Sequence, residues 1–129
     1  MAAGRARILD STLAGNVVVG GQANSSYNAG GAGLGGGLFN GRDGISEVTN
    51  STFRSNEARS GRGGTLMGNG SGGAICNYEG AVALSHVTIA DNSALWSKNP
   101  SPSPAWGGGI FSSNGTFTVQ NSIIADSPL

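Results

Sequence analysis

The chain has 129 residues, seven basic and seven acidic side chains, no formal net charge, and only 11% charged residues. That balance excludes the basic footprint of a nucleic-acid binder and gives no electrostatic pull toward a membrane surface. Its 24 glycines lack the three-residue period of collagen, which leaves either low complexity or a repeat that needs glycine at fixed corners.

Other bounds are quickly drawn. Cys76 is the only cysteine, so neither an intrachain disulfide nor a thiolate-built zinc cluster can form. No apolar run reaches the roughly 18–20 residues of a membrane helix, so no membrane insertion is expected. The opening MAAGRARILDST lacks the apolar stretch of a secretory signal.

In chain order, four segments align without gaps: RARILDSTLAGN (5–16), ISEVTNSTFRSN (45–56), AVALSHVTIADN (81–92) and TFTVQNSIIADS (116–127). Their starts lie 40, 36 and 35 residues apart, the spacing of a solenoid or another repeat array. A glycine precedes each: Gly4, Gly44, Gly80 and Gly115. Before the last three stands a second unit, GGGLFN (35–40), GGAICN (72–77) and GGGIFS (107–112).

The segments are short, rich in Val, Ile, Thr and Phe, and cut by Gly or Asn, which marks strands. Period-two columns emerge: Ala6/Ser46/Val82/Phe117, then Ile8/Val48/Leu84/Val119. A second strand centres on Leu13/Phe53/Ile89/Ile124, and the Gly-rich unit adds a third with Leu38, Ile75 and Ile110. Three such strands bury nothing alone. Stacked on their equivalents about 4.8 Å away, they enclose a narrow core. The expected fold is all-β: a right-handed parallel β-helix of about three to four coils, with three short parallel sheets and long loops on one edge. The coils span about 4–34 (partial), 35–71, 72–106 and 107–129. A Gly-rich unit and a polar cap are both missing before residue 4, so a fragment of a longer solenoid is expected, stacking on further coils of that chain.

The corners follow from residue type. Gly4, Gly44, Gly80 and Gly115 are expected to supply positive φ. The column Asp10, Asn50, His86, Asn121 sits at the next corner, where Asn and Asp tolerate the left-handed region. Asn16, Asn56 and Asn92 close the strand after it, with Ser127 in the last repeat. Asn16, Asn56, Asn92, Asn50 and Asn121 are thus expected to form structural ladders, each amide finding partners in its stacked equivalents.

The motifs GGA[I/L/V] and FxxN resemble the repeats of chlamydial polymorphic outer-membrane proteins and, more widely, of bacterial right-handed β-helix repeat proteins. GGAI is literal at Gly72–Ile75 and FxxN at Phe53–Asn56, with variants GGGL (35–38), GGGI (107–110), LAGN (13–16) and IADN (89–92). The resemblance covers the repeat units but not the three intervening loops. It implies a secreted or cell-surface protein, often adhesin-like and sometimes joined to an autotransporter barrel. No barrel segment is read in this chain.

Candidate sites come from the loops 17–34, 57–71 and 93–106, which should project from one edge, one above another. They carry Tyr27, Arg59, Arg62, Trp96, Lys98 and Trp106. Loops on a rigid scaffold often hold function, and aromatic residues are common anchors; Trp96 and Trp106 either bind a partner or fold back over the core edge. SKNPSPSPAW (97–106) reads as an extended Pro-Ser loop. Phe39, Cys76 and Phe111 share an outward column, suited to stacking on sugar rings, or simply stacked on one another or covered by a loop. The binding set is therefore Trp96, Trp106, Phe39, Phe111 and Tyr27, with a glycan or a surface protein as partner.

A polysaccharide-active enzyme, a lyase or a glycoside hydrolase, is the alternative. Asp91 and Asp126 share a column at a spacing of about 5 Å that suits paired carboxylates. Asp43 and Glu79 share another corner. No Lys or Arg stands in those columns. His86 reads as structural, and Cys76 has no activating surroundings. GAGLGG (31–36) lacks the βαβ context of a dinucleotide site. The sequons at Asn24, Asn50, Asn69 and Asn114 arise by chance in so Asn- and Ser-rich a chain, and an ice-binding reading of the column Thr12, Thr52, Thr88 is weak, since Ile123 interrupts it and no second Thr column stands beside it. No cofactor and no metal are expected.

Overall fold

A computed structural model of the protein describes residues 4–24, 28–63, 68–96 and 105–129. Tyr27, Lys98 and most of the Pro-Ser stretch lie outside these. The described residues are all-β, without a helix. The first strands are Arg5–Leu9 (β1), Thr12–Ala14 (β2) and Val17–Val19 (β3). Next come Gly33–Leu34 (β4), Leu38–Asn40 (β5), Ile45–Thr49 (β6), Thr52–Arg54 (β7) and Glu57–Arg59 (β8). The same series returns as Gly70–Ser71 (β9), Ile75–Tyr78 (β10), Ala81–Ser85 (β11), Thr88–Ala90 (β12) and Ser93–Leu95 (β13). Ala105–Trp106 (β14), Ile110–Ser113 (β15), Thr116–Gln120 (β16) and Ile123–Ala125 (β17) complete it.

Every pairing is parallel and joins equivalent strands, in stacked sheets consistent with a β-solenoid. The order β1-β6-β11-β16 forms one sheet and β2-β7-β12-β17 another. Ile8, Val48, Leu84 and Val119 stand in one file, as do Leu13, Phe53, Ile89 and Ile124. The strands β5-β10-β15 align Leu38, Ile75 and Ile110. These three walls enclose Val48, Phe53, Ala74, Ile75, Val82, Leu84, Val87 and Ile89, all buried. Each large aliphatic or aromatic side chain among them stabilises by roughly 1.5–3 kcal/mol.

Among the described residues the expected three sheets are five. β3-β8-β13 and β4-β9-β14 add two more, built from the starts and returns of the segments read as loops. In the first, Val18, Ala58 and Ala94 point inward in register. In the second, Gly33, Gly70 and Ala105 do. The two sheets approach so closely that a Cβ on Gly33 or Gly70 would strike the carbonyl oxygen of Arg59 or Leu95. The result is a flattened lobe, backbone against backbone, continuing the apolar core. Two or three residues are too few to show alternation, and apart from Val18 the inward member is alanine or glycine, which gives no hydrophobic signal, so these strands read as loop.

A second correction concerns the corners. Positive φ falls on the residue before Gly44, Gly80 and Gly115, namely Asp43 (59°), Glu79 (58°) and Asn114 (51°). Gly44, Gly80 and Gly115 are needed for a different reason. A Cβ on Gly80 would collide with Asn40 Nδ2 and lie 2.7 Å from the Gly41 carbonyl oxygen. At the next corner the expectation holds: Asp10, Asn50, His86 and Asn121 have φ of 47–55°.

The colliding amide belongs to a ladder that pattern reading overlooked. Asn40 Nδ2 donates to Asn77 Oδ1 at 2.8 Å, and Asn77 Nδ2 to Ser112 Oγ at 3.1 Å. Its only sequence trace is the last letter of GGGLFN, GGAICN and GGGIFS. The anticipated ladder is present as well: Asn16 Nδ2 donates to Asn56 Oδ1, and Asn56 Nδ2 to Asn92 Oδ1, each at 2.9 Å. The Asn92 backbone N–H ends it on Ser127 Oγ at 3.3 Å. Asn56 and Asn92 are fully buried, whereas Asn50 donates to Asp10 Oδ1 on the exposed outside, and Asn121 meets His86 there.

Two outcomes follow from this geometry. Asn56→Ala removes the buried donor to the Leu13 carbonyl and the acceptor of the Asn16 amide, while Asn92 Oδ1 keeps the backbone N–H of residue 56; a loss of about 1–3 kcal/mol is expected, against a few tenths for exposed Asn50→Gly, which takes up the φ of 47° without strain. Urea-unfolding midpoints compare the two. Gly80→Ala should cost about 1–3 kcal/mol by overpacking, while Gly4→Ala, in the same column but with nothing within 4 Å of its new Cβ, should leave the midpoint unchanged.

Candidate functional site

The outer face of β5-β10-β15 gathers the aromatic residues. Phe39, Cys76 and Phe111 are in register on it. Alternation along β10 puts Tyr78, two residues beyond Cys76, on the same face. From the adjoining sheet, Trp106 at the end of β14 lays its ring on Phe111, with centroids 5.8 Å apart and planes 16° apart. Phe39, Tyr78 and Trp106 remain 48%, 44% and 43% exposed, and Phe111 is half-buried. Offset stacking of this kind is worth about 0.5–1.5 kcal/mol beyond area burial, so the pair forms a stiff platform. Tyr78 was missed because the Gly-rich strand was read no further than residue 77; its outward parity was the available signal.

Cys76 departs from its expected place. It belongs to the outward column yet is fully buried. Ser71, also outward and also buried, neighbours it in the adjoining sheet. Both are small and flanked by larger residues: Leu34 and Phe39 on one side, Trp106 and Phe111 on the other. Size decides here, because a short side chain between tall neighbours is sunk between them. Desolvation pushes the thiol up to about 11.

Trp96 follows β13 and is 44% exposed. It lines a cavity of about 530 Å³ together with Val19, Gln22, Arg59, Arg62 and Leu95. The two tryptophans therefore serve different surfaces, Trp96 on the lobe and Trp106 on the aromatic face.

The acidic candidates sit at outer corners. Asp91 and Asp126 follow Ala90 and Ala125, which pair in register, and both are exposed. Both have positive φ, 56° and 42°. Arg54 reaches Asp91 from the next column, Nε to Oδ2 at 3.0 Å. Sequence alignment had shown no cation in the acids' own columns; Arg54, alone among Ala14, Ala90 and Ala125, was the trace of this contact. Glu79 is likewise held, by Arg42, whose guanidinium is raised above its ordinary value by that hydrogen bond and the charge of Glu79. His86 is exposed, with Nδ1 2.9 Å from Ser85 Oγ. Among the described residues, no group of three His, Cys, Asp or Glu side chains is placed to hold a metal ion, and no helix is long and apolar enough to cross a membrane.

Compared with known proteins, the chain matches no family model, no curated protein and no solved structure.

The burial of Cys76 has a direct consequence. Iodoacetamide at pH 8 should leave the folded protein unlabelled over a period that fully labels it in urea, as read by mass spectrometry. The folded thiol holds its proton more tightly than the unfolded one. Its contribution to stability is therefore complete below about pH 9 and is lost as pH rises toward about 11. Cys76→Ala should remove that alkaline decline from the unfolding midpoints.

Proposed function

We propose that this chain is a right-handed parallel β-helix of three to four coils, serving as a non-enzymatic scaffold of the adhesin type at a bacterial surface or in secretion. The handedness follows the general preference of parallel crossovers. Its likeness to polymorphic outer-membrane protein repeats rests on the GGAI and FxxN motifs quoted above. We propose that it binds a glycan, with the aromatic face as the contact surface.

One observation carries this reading: Phe39, Tyr78 and Trp106 stand exposed on a regular parallel wall, with Trp106 braced on Phe111. Exposed rings held side by side gain from being covered. The C–H faces of sugar rings are flat, apolar covers for them, edged with hydroxyls that stay in water. Phe39 and Phe111 lie two strands apart, about 10 Å along the stack, room for successive rings of an extended saccharide. A wall fixed by strand pairing has little ordering left to lose on binding.

The enzymatic alternative keeps Asp91 and Asp126 as a carboxylate pair. Arg54 favours it in one respect, since cleavage of an acidic polysaccharide needs a cation near the acids. Yet Arg54 is spent on a lateral ion pair with Asp91, at corners whose backbone already selects for Asp and Asn.

A glycan array followed by calorimetry on the best neutral oligosaccharide separates the readings. Phe39→Ala with Trp106→Ala should weaken binding at least tenfold, which is about 1.4 kcal/mol, and Asp91→Asn with Asp126→Asn should leave it unchanged. Release of new reducing ends by the native protein, abolished by the double Asn variant with the fold retained, would establish the enzyme instead.

A further inference from the structure

We propose that the cavity on the lobe is a second subsite, one that takes the carboxylate-bearing ring of an acidic sugar. This inference deepens the glycan reading and rests on it. The cavity lies over the outer face of β3-β8-β13, where Val19, Arg59 and Leu95 form one column. Arg59 thus sits between two apolar neighbours on a regular wall. Trp96, Gln22 and Arg62 line the same space. At about 530 Å³ the space falls within the range of about 300–1,000 Å³ usual for small-molecule sites.

The rim is held in place by its backbone. Gly20 N donates to the Arg59 carbonyl at 2.9 Å, and Ala23 N to the Arg62 carbonyl at 2.8 Å. Both arginines are therefore anchored to the strip that carries Gln22. Glu57, two residues before Arg59 on the same strand, pairs with Arg59 Nη2. That bond steadies the guanidinium without using all five of its N–H donors. No acid pairs with Arg62 among the described residues.

The charge of the site selects the ligand. Two guanidinium groups and one carboxylate leave a single net positive charge, in a chain whose total is zero. One anionic group is therefore matched, and a polyanion finds no wider basic surface to follow. Planar guanidinium binds carboxylate through paired N–H bonds. A bare carboxylate would use only the arginines. Val19, Leu95 and the indole of Trp96 add an apolar wall beside them, and the C–H face of a sugar ring covers such a wall. Gln22 offers both a donor and an acceptor for ring hydroxyls. A uronic-acid residue combines these features.

The test uses the full chain in a Trp106→Phe background, where Trp96 is the one remaining indole. The probes are a uronic-acid disaccharide, the same disaccharide reduced to its neutral form, and acetate. Trp96 fluorescence should change with the acidic disaccharide at least tenfold more tightly than with the neutral one. Raising the salt should weaken the acidic binding. Arg62→Gln, a change at an exposed side chain, should cost at least fivefold for the acidic sugar and leave the neutral one unaffected. Arg59→Gln should do the same, with circular dichroism confirming the fold. Equal affinity for acidic and neutral sugars overturns the proposal, as does acetate binding as tightly as the disaccharide, or indifference to both arginine variants. Neutral oligosaccharide binding lost through Phe39→Ala and Trp106→Ala, with no acidic binding at Trp96, would leave the aromatic face standing and remove this subsite alone.

Discussion

Parallel register is the constraint on which the rest depends. Because each strand lies directly against its equivalent, every side chain meets a counterpart about 4.8 Å away, and the sequence must choose residues that tolerate their own kind. Aliphatic side chains do so by packing. Buried amides do so only when each donor reaches the next acceptor, as in Asn16–Asn56–Asn92 and Asn40–Asn77–Ser112. Those two chains of amides hold the turns that let the walls change direction. They also dictate the glycines beside them, since the corner at Gly80 has room for the Asn40 amide or for a Cβ but not both. Thus one requirement, like upon like, accounts for the columns, the polar interior and part of the glycine content.

Much of this was legible in the residues. The files Ile8–Val48–Leu84–Val119 and Leu13–Phe53–Ile89–Ile124 could be written down from a gapless alignment because their side chains are large and their spacing constant. The two additional sheets were illegible because, Val18 apart, their inward residues are small, as at Ala58, Ala94, Gly33 and Gly70, and leave no hydrophobic signature. There the chain says what must be absent, a side chain, rather than what is present. The segments between repeats, variable in length and composition, concealed strands for the same reason.

Outward positions were harder to read. Parity placed Phe39 and Phe111 on the surface, and Phe39 is there, but parity cannot report height. Cys76 is outward by alternation and buried by its taller neighbours. Tyr78 and Arg54 were hidden differently: each is a single departure within its column, and column reading rewards agreement. Departures of that kind are where the outer face acquires its chemistry, since a repeat that merely stacks has no need of a lone arginine among alanines or a tyrosine opposite a serine. Arg59, between Val19 and Leu95, is another.

The lobe in which glycine and alanine line both facing sheets differs thermally from the aliphatic interior. Separating its layers would wet mainly peptide groups, which lower the heat capacity, whereas opening the Phe53–Ile75–Ile89 interior would wet hydrocarbon, which raises it. Cooling therefore weakens the attraction inside the aliphatic interior faster than it weakens the lobe. The part of the molecule that carries Arg59 and Trp96 is held by forces that change least with temperature.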